Sequence, residues 1–395
     1  MSERIEVDVA IAGGGTAALA AAVALKRAGL SVAVIEKRVC GAGASGVNFG
    51  GVRRQGRELV ELPLANRSRL LWEGLNEFLG EDVEFDVSGH IKLARSDADM
   101  AELERYAEAA RAYGLDLTLL GANAVHAELP WLGEKVVGAS LSPTDGQANP
   151  RVVGPAFARL ARRVGVIVRE HTTVVSATTT GHGFEIEASG GLTVTSRYLI
   201  NASGAGSNLL AEAFGEPVPL TPLTPNMLVT EPLPYFVSRS IGVCGGDVYV
   251  RQIRRGNVIF GGGKGWFDAD HTFARPVSEQ SIDGMIRTLQ LVPGLAEARV
   301  IRTWSGVDGQ MPDHIPVIGS SSTTPGLFHA FGFSGHGFQL GPVIGIILSE
   351  LVLDGRTESP IEPFSITRFV GDAGEAPRFA GVTGESAEPP AHVEH

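Results

Sequence analysis

The feature that most constrains the fold of this chain is the stretch from residue 7 to residue 38, VDVAIAGGGTAALAAAVALKRAGLSVAVIEKR. It contains, in order, an apolar strand, three glycines, a helix that ends at Gly29, a second apolar strand and Glu36. In a βαβ unit of this order, the glycine turn and the helix N-terminus bind the pyrophosphate of a dinucleotide through backbone N–H groups. We therefore predict a dinucleotide site here, in preference to a glycine-rich turn without a ligand.

The same unit predicts which nucleotide is bound. Glu36 lies about 20 residues after the glycines, where a carboxylate accepts ribose hydroxyls and repels a 2′-phosphate. FAD or NAD is thus favoured over NADP. The contacts expected from this unit are Gly13, Gly15, Thr16, Ala17, Glu36 and Lys37.

Residues 39–57, VCGAGASGVNFGGVRRQGR, favour FAD over NAD. Glycines interleaved with apolar residues suit a backbone that approaches a large planar ligand closely. A flexible surface loop is the alternative interpretation. Contacts are predicted from Ser45, Gly50 and Gly51.

Two later segments predict further contacts with the cofactor. A strand at 198–202 ends at Ser203 and Gly204, after short strands that include Val174. Residues 329–342, HAFGFSGHGFQLGP, lead into an apolar helix whose N-terminus would stabilise the negative charge of a reduced flavin. The contacts expected there are Gly335, His336, Gly337, Phe338 and Gln339. A histidine hydrogen-bonded within a turn is the alternative for His336.

Composition limits the function. The length of 395 residues exceeds one ordinary domain, and 44% hydrophobic residues supply core for two lobes. A net charge of −11 argues against nucleic acid as a partner. The two cysteines form no CxxC pair, so we expect no metal bound by thiolates. We find no signal-like segment before Val7 and no apolar run long enough to span a membrane, and we therefore expect a cytoplasmic protein.

Five segments together resemble the FAD-dependent D-amino-acid oxidase superfamily, in the branch with glycine oxidase, sarcosine oxidase β subunits and the β subunits of opine and hydroxyproline dehydrogenases. The segments are IAGGGTAALA, GASGVNFGGVRRQGR, DVYVRQIRRGNVIFGGGK, WSGVDGQMPDHIPVIG and HAFGFSGHGFQLGP. The resemblance runs over residues 5–368. It implies an α/β fold of two lobes: a Rossmann-like FAD-binding domain, and an α+β substrate domain with a mixed or antiparallel sheet.

The expected domains are discontinuous along the chain. Residues 1–85, 143–216 and 310–370 are assigned to the FAD-binding domain, and residues 86–142 and 217–309 to the substrate domain. The segment from Ser96 to Gly114 predicts an amphipathic helix, and Asn149-Pro150 predicts a helix start. Residues 371–395, rich in Gly, Ala, Glu and Pro, are predicted to be a disordered tail.

The resemblance also implies residues of the substrate site. Tyr249 occupies the position of a tyrosine that faces the substrate in glycine oxidase, and Lys264 that of a lysine that contacts the flavin in monomeric sarcosine oxidase. The alternatives are strand packing for Tyr249 and a solvated surface charge for Lys264. Asp308 stands where glycine oxidase has the arginine that binds the substrate carboxylate, so a different cation or a different substrate is implied.

Four arginines are available for the carboxylate: Arg53, Arg54, Arg251 and Arg302. Arg53 is the first choice because its loop is expected to run past the flavin, and a surface salt bridge is the alternative for each. The expected reaction is oxidation of the C–N bond of an N-substituted or cyclic amino acid by hydride transfer to flavin N5, with Tyr249, Lys264, His336 and Arg53 as catalytic residues.

The partners expected with this activity are a small amino acid or secondary amine as substrate, together with partner subunits or an electron acceptor. Two alternatives stay open. One is a stand-alone glycine or D-amino-acid oxidase that produces hydrogen peroxide. The other is a non-catalytic subunit that carries FAD.

Overall fold

The computed structural model of the protein describes residues 3–268 and 273–369, so the predicted tail lies outside the described residues. The helices of the described residues are α1 (Thr16–Arg27), α2 (Ala44–Val47), α3 (Leu62–Glu73), α4 (Leu75–Leu79), α5 (Asp97–Arg111), α6 (Ala122–Glu128), α7 (Pro150–Arg163), α8 (Ser207–Ala213), α9 (Ser278–Leu291) and α10 (Gly337–Asp354).

The strands of the same residues are β1 (Glu3–Ala12), β2 (Val32–Ile35), β3 (Gly51–Val52), β4 (His90–Ala94), β5 (Thr118–Gly121), β6 (Gly138–Ser142), β7 (Gly146–Gln147), β8 (Ile167–Arg169), β9 (Val174–Thr180), β10 (Gly183–Ala188), β11 (Leu192–Asn201), β12 (Thr221–Leu223), β13 (Pro225–Pro232), β14 (Ser240–Val243), β15 (Tyr249–Gln252), β16 (Asn257–Lys264), β17 (Trp266–Phe267), β18 (Ala274–Arg275), β19 (Val300–Ser305), β20 (Asp308–Gln310), β21 (Val317–Ser320) and β22 (Leu327–Phe331).

The first large sheet has the strand order β21-β22-β11-β1-β2-β8, with the hairpin β9-β10 attached to β11. β1 pairs in parallel with β2 and β11, and β11 pairs in parallel with β22. In this register Ala12 lies opposite both Ile35 and Asn201, so the carboxyl ends of three neighbouring strands meet at one edge. This is the edge at which ligands bind in sheets of this kind, and the predicted Rossmann-like sheet is confirmed.

The second large sheet has the strand order β19-β13-β16-β15-β14-β4-β6-β5. Its pairs are antiparallel except for β4 with β14. The predicted mixed sheet of a second lobe is thereby confirmed, and the segment DVYVRQIRRGNVIFGGGK forms the antiparallel β15-β16 pair within it. The exact domain boundaries stay a prediction.

The helix starts follow from local chemistry. The Ser96 side chain accepts a hydrogen bond from the backbone of Asp99 at the start of α5, and the Asn149 side chain accepts one from Arg151 at the start of α7. Pro150 occupies the first turn of α7, where its missing N–H costs no helical hydrogen bond. Both predicted helices are therefore confirmed.

Helix α10 packs directly against α1. A Cβ atom added to Gly345 would lie 2.3 Å from Ala20 Cβ, and one added to Gly341 would lie 2.8 Å from Thr16 Cγ2. Only glycine permits this approach, which places the N-termini of the two helices side by side. Among the described residues, α10 alone has the length and apolarity of a membrane span, but 72% of it is buried, as in the core helix of a soluble protein.

Candidate active site

The glycine turn after β1 is held against the end of β11. Gly13 has φ +104°, which favours glycine, and a Cβ atom there would lie 2.2 Å from the carbonyl oxygen of Ala202. Ser203 Oγ donates to the carbonyl of Ala12 at 3.2 Å. The predicted contacts Gly13, Ser203 and Gly204 are thus brought together at the carboxyl edge of the first sheet.

The start of α1 meets the glycine-rich loop predicted to approach the cofactor. Ser45 Oγ accepts the backbone N–H of Thr16 at 3.0 Å, next to Gly15 and Ala17 in the same helix turn. Thr16 Oγ1 is buried and has no hydrogen-bond partner among the residues that the structure describes. A buried hydroxyl that lacks a partner, beside the N–H groups of a helix start, is the donor set that a pyrophosphate needs.

Glu36 ends β2 beside this turn. Its carboxylate accepts the backbone N–H of Gly14 at 2.7 Å and that of Arg38 at 2.8 Å. Since an ionised carboxylate offers about four lone-pair sites, it retains capacity for ribose hydroxyls. The Thr172 N–H donates to the Glu36 carbonyl two residues before Val174, which brings Val174 to the adenosine end of the predicted site, and Lys37 is exposed there.

The turn before α10 is organised by Asp308. Its carboxylate accepts the backbone N–H of Gly309 and that of Gly335, each at 2.9 Å. Burial raises the pKa of the Asp308 carboxyl, and the two N–H groups oppose that rise. Sequence comparison alone suggested a lost carboxylate clamp at this position. The structure shows that the acid holds the turn that leads into His336 and Gly337.

A buried network missed by sequence reasoning lies behind this turn. Glu61 is fully buried, and its Oε2 accepts Nδ1 of His336 at 2.8 Å. Arg57 Nη1 lies 3.4 Å from Glu61 Oε1, and Arg57 Nη2 donates to the His336 carbonyl at 3.1 Å. The i,i+4 spacing of Arg57 and Glu61 was the available signal, but their partner lies 275 positions away.

The charges in this network have defined directions. Burial lowers the pKa of His336, Arg57 and Arg53 lower it further, and Glu61 opposes the fall. Burial alone would raise the pKa of Glu61, but His336 and Arg57 outweigh it and the pKa is lowered. Burial also lowers the pKa of Arg57 to about 10. His336 is thus neutral and Glu61 ionised near pH 7.

The four candidate arginines differ in their partners. Arg54 is paired with buried Asp145 at 3.0 Å, and Arg302 is exposed. Arg251 is buried under the Phe49 ring and donates to the carbonyl of Ala148. These contacts indicate that Arg54 and Arg251 stabilise the fold and are already paired.

Arg53 is different from these three. It is half-buried, and burial lowers the pKa of its guanidinium. Nη1 donates to the Gln55 carbonyl at 2.5 Å, and across residues 3–268 and 273–369 the side chain has no carboxylate partner. A desolvated cation in this state can gain most from a bound carboxylate.

The second sheet contributes Tyr249 to the same region. The Tyr249 ring packs edge-to-face on Phe49 at 4.9 Å, and its hydroxyl donates to the Asn226 carbonyl at 3.0 Å. Phe49 precedes Gly50 and Gly51, so Tyr249 borders the glycine-rich loop. Lys264 is exposed at the end of β16, and the structure does not bring it into the Arg57–Glu61–His336 network.

The first turn of α10 supplies the remaining predicted residues. Gly337 begins the helix and Phe338 packs on Trp72 at 5.2 Å. The side chain of Gln339 faces α3, where Nε2 donates to the Ala65 carbonyl at 2.9 Å, while the buried Oε1 has no partner within the described part of the chain. The backbone of this turn, rather than the Gln339 side chain, is therefore placed to face the start of α1.

These pieces fit an FAD. Two helix N-termini, the Gly13 turn and an orphaned hydroxyl meet at one sheet edge, with the Glu36 carboxylate beside them as an acceptor for ribose. Within the described residues there is no group of His, Cys, Asp and Glu that could hold a metal ion.

Comparison with known proteins identifies the family of the chain. A family profile described as FAD dependent oxidoreductase matches residues 8–351. Glycine oxidase of Geobacillus kaustophilus is 29% identical over 377 residues, which are 93% of this chain and 98% of that protein, and its crystal structure covers 93% of this chain and 100% of its own with a TM-score of 0.87.

Two further relatives extend the comparison. Sarcosine oxidase subunit beta of an Arthrobacter species is 30% identical over 380 residues, 92% of this chain and 91% of that one. The crystal structure of L-proline dehydrogenase from P. horikoshii has a TM-score of 0.84 at 26% identity and covers 93% of this chain and 98% of its own.

Proposed function

Because this chain belongs to the DAO family of FAD-dependent oxidoreductases, we propose that it oxidises the carbon–nitrogen bond of an amino acid whose nitrogen is alkylated or part of a ring. The chain is an FAD-dependent amino acid oxidoreductase of the glycine and sarcosine oxidase type. The choice of a secondary amine is the proposal.

The observation that carries the proposal is the desolvated guanidinium of Arg53 at a site where Asp308 replaces the usual arginine. Asp308 is occupied by two backbone N–H groups, so it leaves the carboxylate of a substrate to Arg53. Arg53 and Tyr249 then fix the two ends of the substrate, its carboxylate and its apolar side. The named substrates of two relatives, sarcosine and L-proline, are both secondary amines.

Bound FAD supplies the acceptor for two electrons. The substrate loses a hydride from the carbon next to nitrogen and becomes an imine, which water hydrolyses to a carbonyl compound and an amine. Arg53 orients the carbon–hydrogen bond of the substrate by holding its carboxylate. The N-terminus of α10 would stabilise the negative charge of a reduced flavin. No strong protein base is required for breaking that bond.

Anaerobic bleaching of the purified yellow protein tests the proposal. Sarcosine, L-proline and an N-(1-carboxyethyl) amino acid should bleach the flavin absorbance, and glycine and D-alanine should do so at least tenfold more slowly. Faster bleaching by glycine or D-alanine would favour the alternative of a stand-alone oxidase, and hydrogen peroxide released without an added acceptor would support it further. A protein that stays yellow with the whole panel would indicate the non-catalytic alternative.

Substitution of Arg53 tests the binding role. Arg53→Ala should raise the KM for the best substrate at least tenfold, about 1.4 kcal/mol, with the flavin content unchanged. Arg302→Ala, which removes an exposed guanidinium, is the matched control and should leave KM unchanged. An unchanged KM in Arg53→Ala removes this role from Arg53.

Two further proposals concern the setting of the enzyme. By analogy with the relative that is named as a subunit, we propose that the chain works with partner subunits, which co-purification of the native protein tests. We also propose a cytoplasmic location, since both cysteines are buried and unpaired. Cell fractionation tests it.

A further inference from the structure

His336 has one ring nitrogen engaged and one spare. Nδ1 lies 2.8 Å from Glu61 Oε2, whereas Nε2 makes no hydrogen bond to any residue in the ranges 3–268 and 273–369. Since the ionised carboxylate can only accept, a neutral imidazole must carry its proton on Nδ1. The lone pair of Nε2 is then free. The side chain retains 13% exposure, so this edge of the ring is open to a bound molecule.

From this geometry we propose that His336, held in one tautomer by Glu61, is the base that takes the proton from the ammonium group of the substrate. The inference rests on the proposed function, because it names the step that must precede hydride loss. An amine can lose hydride from the neighbouring carbon only when its nitrogen lone pair is free. An alkyl ammonium keeps its proton up to about pH 10, so nearly all substrate arrives protonated at pH 7.5.

The proton balance of the step is simple. The N–H bond of the substrate ammonium breaks and its electron pair stays on nitrogen, while the proton forms a new bond to His336 Nε2. The ring becomes an imidazolium whose positive charge is paired with Glu61 across the 2.8 Å hydrogen bond. No oxidant takes part in this step. Glu61 is thus a positioning residue, and His336 is the catalytic residue.

The surrounding charges act on both the substrate ammonium and the His336 ring. Arg57 and Arg53 face the His336 ring from the loop before α3, and Glu61 faces it from the turn that precedes α3. On its own segment, the neighbouring Gly335 N–H is held by Asp308. Two arginines and burial disfavour a positive charge on the bound ammonium and on the imidazole alike, whereas Glu61, which accepts the Nδ1 hydrogen bond, favours the charge on the imidazole.

The pH dependence of anaerobic flavin reduction tests the proposal, with sarcosine and L-proline as probes. In the unmodified protein the ratio of the reduction rate to the substrate dissociation constant should be nearly level between pH 7 and pH 9. In His336→Gln it should be about 100-fold lower at pH 7.5 and rise tenfold for each pH unit, because only substrate that is already neutral reacts. Glu61→Gln should show a smaller loss of the same shape.

Two controls separate this effect from damage to the fold. His182→Gln removes an exposed histidine on the β9-β10 hairpin, and Glu73→Gln removes a largely exposed carboxylate that pairs with Arg69 in the same i,i+4 arrangement. Both should retain the level profile. The flavin content of each variant is measured in parallel.

A second readout needs no turnover. In protein labelled with ¹⁵N-histidine, the His336 resonances should show a protonated Nδ1 and a bare Nε2 at pH 7.5, and Glu61→Gln should abolish this single tautomer. A proton found on Nε2 overturns the proposal, as does an unchanged profile in His336→Gln. If instead no secondary amine reduces the unmodified protein, the proposed function fails while the tautomer result still decides whether the pair exists.

Discussion

The molecule contains two buried glutamate–histidine pairs that look alike in composition and differ in use. In the first sheet, His329 Nε2 lies 3.0 Å from Glu216 Oε2, and the two side chains are 0% and 1% exposed. Before α10, His336 Nδ1 lies 2.8 Å from Glu61 Oε2, with the ring 13% exposed. The two pairs use opposite nitrogens of the ring.

The difference lies in what the rest of each pair contacts. Glu216 also accepts hydrogen bonds from Ser321 Oγ, Ser322 N–H and Ser322 Oγ, and Asn201 Nδ2 approaches the second nitrogen of His329 at 3.5 Å. Each carboxylate oxygen of Glu216 and each ring nitrogen of His329 therefore has a hydrogen-bond partner within the fold. In the His336–Glu61 pair, Nε2 of the ring makes no hydrogen bond within residues 3–268 and 273–369. A glutamate–histidine pair therefore indicates function only where one nitrogen is left unsatisfied.

The largest expected effect is on the interior pair. Glu216→Ala should lower the free energy of unfolding by about 3 kcal/mol or more, because His329 and two serines lose a buried acceptor. Substrate reduction of the flavin that remains bound should be unchanged. Urea unfolding followed by circular dichroism measures the first and stopped-flow spectroscopy the second. Glu212→Ala, at an exposed position four residues earlier, is the control.

The stability contributed by the interior Glu216–His329 pair should also depend on pH. Burial alone would raise the pKa of Glu216, but hydrogen bonds from His329, Ser321 and Ser322 lower it from 4.5 to about 2. This carboxylate therefore contributes stability that is fully present above pH 4.5 and is lost as the pH falls through 2. The gap in unfolding free energy between the unmodified protein and Glu216→Ala should narrow over that range. A gap that widens in acid would contradict the assigned direction.

Arg57→Met should have the next largest effect. It removes the cationic partner of Glu61 and the donor to the His336 carbonyl, and we expect a loss of about 2 kcal/mol in unfolding free energy. FAD should also dissociate more readily, since the start of α10 loses a tether. Chemical denaturation and fluorescence titration with FAD measure the two effects. Arg111→Met breaks an exposed pair with Glu108 and should change neither.

Asp308→Ala should cost about 1–2 kcal/mol of unfolding free energy, because the Gly309 and Gly335 N–H groups lose their acceptor. Asp308→Asn keeps one acceptor oxygen, so its free energy of unfolding should lie between those of the unmodified protein and Asp308→Ala. Thermal melting at fixed FAD concentration distinguishes them. If Asp308→Asn were less stable than Asp308→Ala, the role of Asp308 as an acceptor for the turn would be wrong.

The smallest effect is expected at Glu73. Its carboxylate lies 3.1 Å from Arg69 Nη1 but is 60% exposed, and exposed i,i+4 pairs contribute about 0.5 kcal/mol or less. Glu73→Gln should therefore unfold within that margin of the unmodified protein in urea. If Glu73→Gln lowered the free energy of unfolding as much as Arg57→Met, burial would not explain why the Arg57–Glu61 pair contributes more than the Arg69–Glu73 pair.

Sequence reasoning succeeded where the signal is local. The order of strand, Gly13 turn, helix and Glu36 fixes the βαβ unit within 32 residues, and Asn149-Pro150 marks the start of α7 through contacts one or two positions apart. The family resemblance implies the second sheet, whose β15-β16 pair lies in one of the five segments that carry the resemblance. In each case the residues that act together are neighbours along the chain or belong to one recognisable motif.

It failed where the chemistry depends on distant contacts. Glu61 was not singled out, because one glutamate before an ordinary helix says nothing about a histidine 275 positions later. At Asp308 the resemblance indicates that an arginine is missing, but it does not indicate that the carboxylate accepts the backbone N–H groups of Gly309 and Gly335. The sequence ranks Arg53 ahead of Arg54 and Arg251 from its expected place in the loop, but only burial and ion pairing show which guanidinium lacks a carboxylate partner among the described residues.

The glycine contact between α1 and α10 has a consequence for how such a protein can change. Any substituent at Gly345 would force the two helix axes apart, and the amides at the nucleotide end would separate from those at the ring end. A change at this contact would therefore alter both the affinity for the diphosphate and the electronic properties of the flavin ring. Substrate preference can consequently diverge more easily through side chains away from this contact, such as those of the second sheet.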